Sequence, residues 1–159
     1  MSYFDACKPH AKFADAVEFA IWFHDCIYKL GACDNEALSR DWFVKQTKDY
    51  IVPAMIDCVD KLIMDTRHLS VPDSDDGKLI ADIDLTSFGL PWDEYMHDSR
   101  AVQSEYPRIS NGCEIQSKIL FLEKLLDDGQ IYYSDYYLAH FEEKAQNNVK
   151  KHLQILRQA

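Results

Sequence analysis

Apolar positions recur three and four residues apart along almost the whole chain, the spacing of amphipathic helices. Over residues 11–29, Phe13, Val17, Ala20, Ile21, Phe23 and Ile27 form one such stripe, and Gly31 ends it. A second helix is expected over 35–50, with Asp34 as its cap and Glu36 in its first turn, facing the positive end of the helix dipole. Pro53 suits the first turn of a third helix, 53–68, whose apolar positions are Met55, Ile56, Val59, Leu62 and Ile63. The polar stretch SVPDSDDG, residues 70–77, reads as a loop, and a short helix follows over KLIADIDLTSF, residues 78–88. GLP at 89–91 marks a turn. Pro91 then opens a helix running to Tyr106, and Pro107 stops it. Asn111 and Glu114 have capping-box spacing for a helix to Leu126, DDGQ breaks it, and a last helix starts near Ser134 and runs to the C-terminus. The opening MSYFDACKPHA places Tyr3, Phe4 and Cys7 at helical spacing with no cap before them, like the tail of a helix. With no alternating strand pattern, repeat or linker, the expectation is one all-α domain over 1–159, a bundle of about seven helices.

Composition narrows the function classes. At 159 residues, 47% hydrophobic and 28% charged, the chain has the make-up of a soluble globule. It carries no apolar run long enough for a membrane span and no basic-then-apolar start, so no membrane partner and a cytoplasmic location are expected. Five cysteines, an odd number with no CxxC, read as reduced thiols and argue against a zinc–thiolate site. The net charge of −10 repels polyanions, which makes nucleic acid a poor partner. It repels small phosphates too, unless a bound cation inverts the local sign.

The candidate chemistry lies where polar residues interrupt the stripes. His24 and Asp25 stand among Ile21, Trp22, Phe23, Cys26 and Ile27, and burying charge there is costly unless it is paired or bound to metal. A second His-Asp pair, His97-Asp98, lies in a charged helix and reads as solvated surface. His68 ends the amphipathic run CVDKLIMDTRH, and Asp82 and Asp84 sit in a short helix beside Leu79, Ile80, Ile83, Leu85 and Phe88. A core histidine bonded to backbone would account for His24, and a cap or an ion pair with Arg67 or Lys78 for Asp84. Imidazoles and carboxylates together equally suit Zn, Mn, Fe, Co or Ni, with Mg favouring carboxylate and water. Nucleophile systems fit less well. There is no GxSxG or phosphate-binding glycine loop, and an apolar setting would raise the thiol pKa of Cys26 beside His24.

The segments AIWFHDCIY, DNEALS, LIMDTRH and DIDLTSFG, in this order and spacing, resemble the HD superfamily, and more closely its small bacterial metal-dependent phosphohydrolases. EYPRI, FLEKLLDDGQIYYS and EEKAQNNV resemble the C-terminal half of that family, so the likeness covers residues 13–150. The resemblance implies an HD-domain-like helical bundle with a divalent metal ion at its centre. His24 and Asp25 would be the HD pair, and Asp84 the distal carboxylate ligand, with Asp82 as the alternative. His68 would stand by the metal or the substrate phosphate. Asp34, Asn35, Glu36 and Ser39 match the DNExxS stretch, where Glu36 would position a water or act as a base. The family's early histidine, in a YHxxxH segment, has no counterpart. Only 23 residues precede His24, and His10 is too close, so the first helix of the family fold is expected to be missing. Where relatives place arginines, this chain has Gln103 and Lys118.

The implied activity is metal-dependent hydrolysis of a small phosphorylated molecule, a nucleotide among the candidates, with Asp25, Glu36 and His68 as catalytic groups and His24, Asp25, Asp84 and His68 as metal ligands. Three donors are then expected to share one ion, each about 2.0–2.2 Å away. The alternatives are a degenerate HD module that binds a ligand or regulates without catalysis, and a purely structural bundle. A missing helix would expose apolar core and favour a homo-oligomer.

Overall fold

The chain is all-helical. The computed structural model describes residues 2–29, 32–105 and 113–158, and among these there is no strand. Nine α-helices are described, against the seven expected. They are α1 (Ser2–Cys7), α2 (Ala14–Phe23), α3 (Asn35–Thr47), α4 (Pro53–Asp65), α5 (Asp75–Asp84), α6 (Trp92–Glu105), α7 (Cys113–Asp127), α8 (Asp135–His140) and α9 (Glu142–Leu156), with 3-10 turns at Lys8–His10 and Thr86–Gly89. The expected stops at Gly31 and Pro107 and the cap at Asn111 lie outside the described residues, as does the side chain of Glu114. No helix is long and apolar enough to cross a membrane among the described residues.

The two additional helices have local causes. The opening segment forms a helix of its own, α1. The last expected helix is divided at Phe141, whose φ of −127° leaves the helical region. Phe141 stacks on Tyr137 with ring centroids 4.9 Å apart, and the Glu142 carboxylate accepts the backbone N–H groups of Ile131 and Tyr132 at 3.0 Å. Aromatic packing and this carboxylate clamp hold the kink against helical continuation.

The chain forms two compact units, residues 1–84 and 85–159. In the first, α2 packs on α4 and α5, and α3 packs on α4. Its core is Val17, Ala20, Phe43, Val59, Leu62, Ile63, Leu79 and Ile80, all buried. The stripes of α2 and α4 thus face inward as their periodicity predicts, although Phe13 is exposed and Met55 only half-buried. In the second unit, α9 packs on α7, α8 and the Thr86–Gly89 turn around Leu122, Tyr132, Tyr137, Val149 and Leu153.

Two boundaries differ from expectation in ways that build the site. Helix α5 begins at Asp75, inside the stretch read as a loop, because Ser74 caps it by accepting the Gly77 N–H at 2.9 Å. Asp76 in its first turn is only 5% exposed, and its two oxygens accept the N–H groups of Lys12 and Phe13 at 2.7 and 2.8 Å. These donors precede α2, so a carboxylate from α5 fixes where α2 starts. Helix α2, expected to reach residue 29, ends at Phe23.

Candidate metal centre

The early end of α2 changes the setting of the His-Asp pair. His24 is the C-cap residue, its backbone N–H still reaching the Ala20 carbonyl at 2.9 Å. The chain beyond it is held by side chains of α3 in place of helical hydrogen bonds. Ser39 Oγ accepts the Ile27 N–H at 3.0 Å and donates to the Ile27 carbonyl at 3.2 Å. Asn35 accepts the Lys29 N–H at 2.9 Å and donates to the Lys29 carbonyl at 3.1 Å. Both are buried. Asp34 occupies the N-cap position of α3 but makes no side-chain cap bond. An imidazole at a helix C-terminus also faces the negative end of the dipole, which favours its protonated or cation-bound form.

Four of the candidate side chains meet in the first unit. His24 Nε2 lies 3.2 Å from Asp84 Oδ1 and 3.5 Å from Asp25 Oδ2. His68 Nε2 lies 2.7 Å from Asp84 Oδ2. Each oxygen of Asp84 therefore faces a different imidazole. Asp82, two residues earlier on α5, is fully buried and acts electrostatically on Cys7, so Asp84 is the residue that joins the histidines. His24 Nδ1 is 3.0 Å from the Ile21 carbonyl. A carbonyl only accepts, so this nitrogen carries a proton and Nε2 is the one turned to the carboxylates.

His68 has φ of 52°, a left-handed conformation that non-glycine residues rarely adopt. It lies just beyond the end of α4, where glycine is the usual choice. The strain of holding a histidine there is met by the short bond of its ring to Asp84.

The electrostatics follow from these contacts. Burial opposes charge on His24, but the hydrogen bond to Asp84 and the charges of Asp84 and Asp25 push its pKa up to about 9. Burial likewise opposes charge on Asp84, and its bonds to His24 and His68 outweigh that and hold the carboxyl well below the usual range. The Asp84 side chain is 26% exposed and that of Asp25 53%, so the cluster opens to solvent on its Asp25 side.

Glu36 sits half-buried in the first turn of α3 and makes no ion pair or hydrogen bond with the cluster among the described residues. His97 and Asp98 are exposed on α6 in the second unit. Asn35, Ser39 and Asp76 were not legible as clamps, although Asn35 and Ser39 stand four apart on one helix face, a spacing that pairs them.

The donor types fit a divalent cation, and the backbone-anchored Nδ1 of His24 is the usual support for a ligating imidazole. The arrangement does not enclose one. Among the described residues no group of three or more His, Cys, Asp or Glu side chains is disposed to hold a metal ion, and the four meet as direct pairs. No family model, curated protein or solved structure matches this chain.

Proposed function

We propose that the chain is a metal-dependent phosphohydrolase of the HD type, acting on a small phosphorylated molecule. The observation that carries this reading is the convergence of two imidazoles on the two oxygens of Asp84, with Asp25 beside them. With neutral imidazoles these groups carry two negative charges, and a divalent cation balances them where a proton on His24 balances only one. His24, Asp25, Asp84 and His68 would hold the cation, exchanging their direct contacts for contacts to it. When bound, the cation would supply positive charge to a phosphoryl oxygen and would make a water more acidic. Asp25, the most exposed member of the set, accepts the proton of the attacking water. His68 Nε2, now on Asp84 Oδ2 at 2.7 Å, would turn to the cation and so stand beside the phosphate bound there. Among the described residues Glu36 makes no hydrogen bond or ion pair with the cluster that would support its role as a base.

A second reading is a ligand-binding or regulatory module of the same fold without catalysis. It is favoured by the lack of three donors around one point among the described residues. Calorimetric titration of chelator-treated protein with Mn, Co, Ni and Mg, followed by turnover of phosphomonoesters and nucleotides, separates the two. The phosphohydrolase reading expects one cation per chain and turnover that requires it, both lost in His24→Ala. Binding without turnover selects the second reading, and no binding overturns the first.

A further inference from the structure

A groove in the first unit stands apart from the cluster. It has a volume of about 450 Å³, within the range of small-ligand sites. One wall is a single face of α2, where Asp15, Glu18, Phe19 and Trp22 recur at i, i+3, i+4 and i+7. The rest of the lining is Tyr50, Ile51 and Val52, between α3 and α4, and Met55 in the first turn of α4. Trp22 is 63% exposed, Tyr50 88% and Val52 67%, so large apolar side chains are left to water around one concavity. Among the described residues the charged groups lining it are both acids, Asp15 and Glu18. Glu18 holds Lys8 at 3.1 Å, and among the described residues Asp15 has no ion pair.

We propose that this groove binds a small organic cation, an ammonium or guanidinium carrying an apolar body. An anion would meet two carboxylates and no lining cation. A neutral ligand would shield Asp15 from water with nothing in return. A cation meets Asp15 directly and the faces of Trp22 and Tyr50 through their ring electrons, while its apolar part covers Phe19 and Val52. Glu18 is already paired with Lys8, so Asp15 is the carboxylate left for the ligand.

The test uses benzyltrimethylammonium, with benzyl alcohol and phenylmethanesulfonate as neutral and anionic counterparts, followed by tryptophan fluorescence and calorimetry on the full chain. Saturable binding of the cation is expected, at least about tenfold tighter than the alcohol, with no binding of the sulfonate. Trp22→Ala should weaken it about fivefold and Asp15→Asn about threefold, the latter with a melting temperature lowered by no more than a few degrees, since exposed Asp15 loses only its place at the N-terminal end of the α2 dipole. Absence of saturation, equal binding of the cation and the alcohol, or cation binding unaffected by both substitutions overturns the proposal. None of these residues belongs to the His24 cluster, so the outcome is independent of whether that cluster binds metal.

Discussion

His68 holds a left-handed backbone that glycine would adopt without strain, and it spends that strain on placing its ring against Asp84. His68→Gly removes a backbone cost of roughly 1 kcal/mol along with the ring contact. Its stability is therefore expected to stay within about 1 kcal/mol of the parent in denaturant unfolding, while on the proposed metal-dependent reading divalent-cation affinity falls about tenfold or more. A large loss of stability with unchanged cation binding would make His68 a packing residue. Asp84→Asn acts differently. It keeps the shape but withdraws the negative acceptor on which both His24 and His68 depend. It should cost about 1–3 kcal/mol, the usual penalty when hydrogen bonds to charged groups are lost. On the same proposed reading it should also abolish cation binding, as calorimetry of the folded variant would read. At this scale the sequence was informative about residue type and uninformative about conformation. Histidine and aspartate in apolar runs are visible in the sequence, whereas a positive φ at residue 68 leaves no pattern.

Helix α2 shows how a contact from elsewhere in the chain overrides a local preference. Its stripe continues to Ile27, yet the helix stops at Phe23 because Asn35 and Ser39 offer the chain beyond it better partners. Asn35→Ala leaves both the N–H and the carbonyl of Lys29 without that partner. The expected cost is about 1–3 kcal/mol in chemical unfolding, with shifted NMR resonances of the His24 ring, since the clamp fixes the turn that carries it. Unchanged His24 resonances would mean that the turn keeps its place without the clamp. The same logic explains the other boundaries. Pro53 opens α4 as its sequence predicts, because a proline at the first turn needs no remote partner. The division at Phe141 depends on Tyr137, Ile131 and Tyr132, and the start of α5 at Asp75 precedes the apolar run by which a helix is recognised. Helix existence was therefore legible from periodicity, and the ends were not, because side chains distant in sequence set them.

Taken as a whole, the molecule carries a charge of −10 and titrates chiefly through carboxylates, yet one histidine should set a distinct feature of its acid response. His152 on α9 is buried in the second unit and shares a 2.6 Å hydrogen bond between its Nδ1 and the Tyr95 hydroxyl of α6. Trp92 of α6 meets its ring edge-on, and Lys118 of α7 acts on it with a positive charge. Burial first, and Lys118 second, lower its pKa from 6.5 to about 4. Above pH 6.5 the group is neutral whether the chain is folded or not, so it adds no pH dependence. As pH falls from 6.5 towards 4 the unfolded chain takes up a proton that the folded chain refuses, and stability declines by up to roughly 1.4 kcal/mol per pH unit from this residue. Below about 4 both states are protonated and the loss levels off. His24 does not obscure this window, since its own proton is held up to about 9. Comparing wild type with His152→Gln, which keeps an acceptor for Tyr95 and removes the titration, isolates the effect from that of the carboxylates. Denaturant unfolding at pH 7 and at pH 5 should show wild type losing more stability than the variant over that interval. Parallel losses would mean that His152 takes up its proton in the folded chain as readily as in the unfolded one.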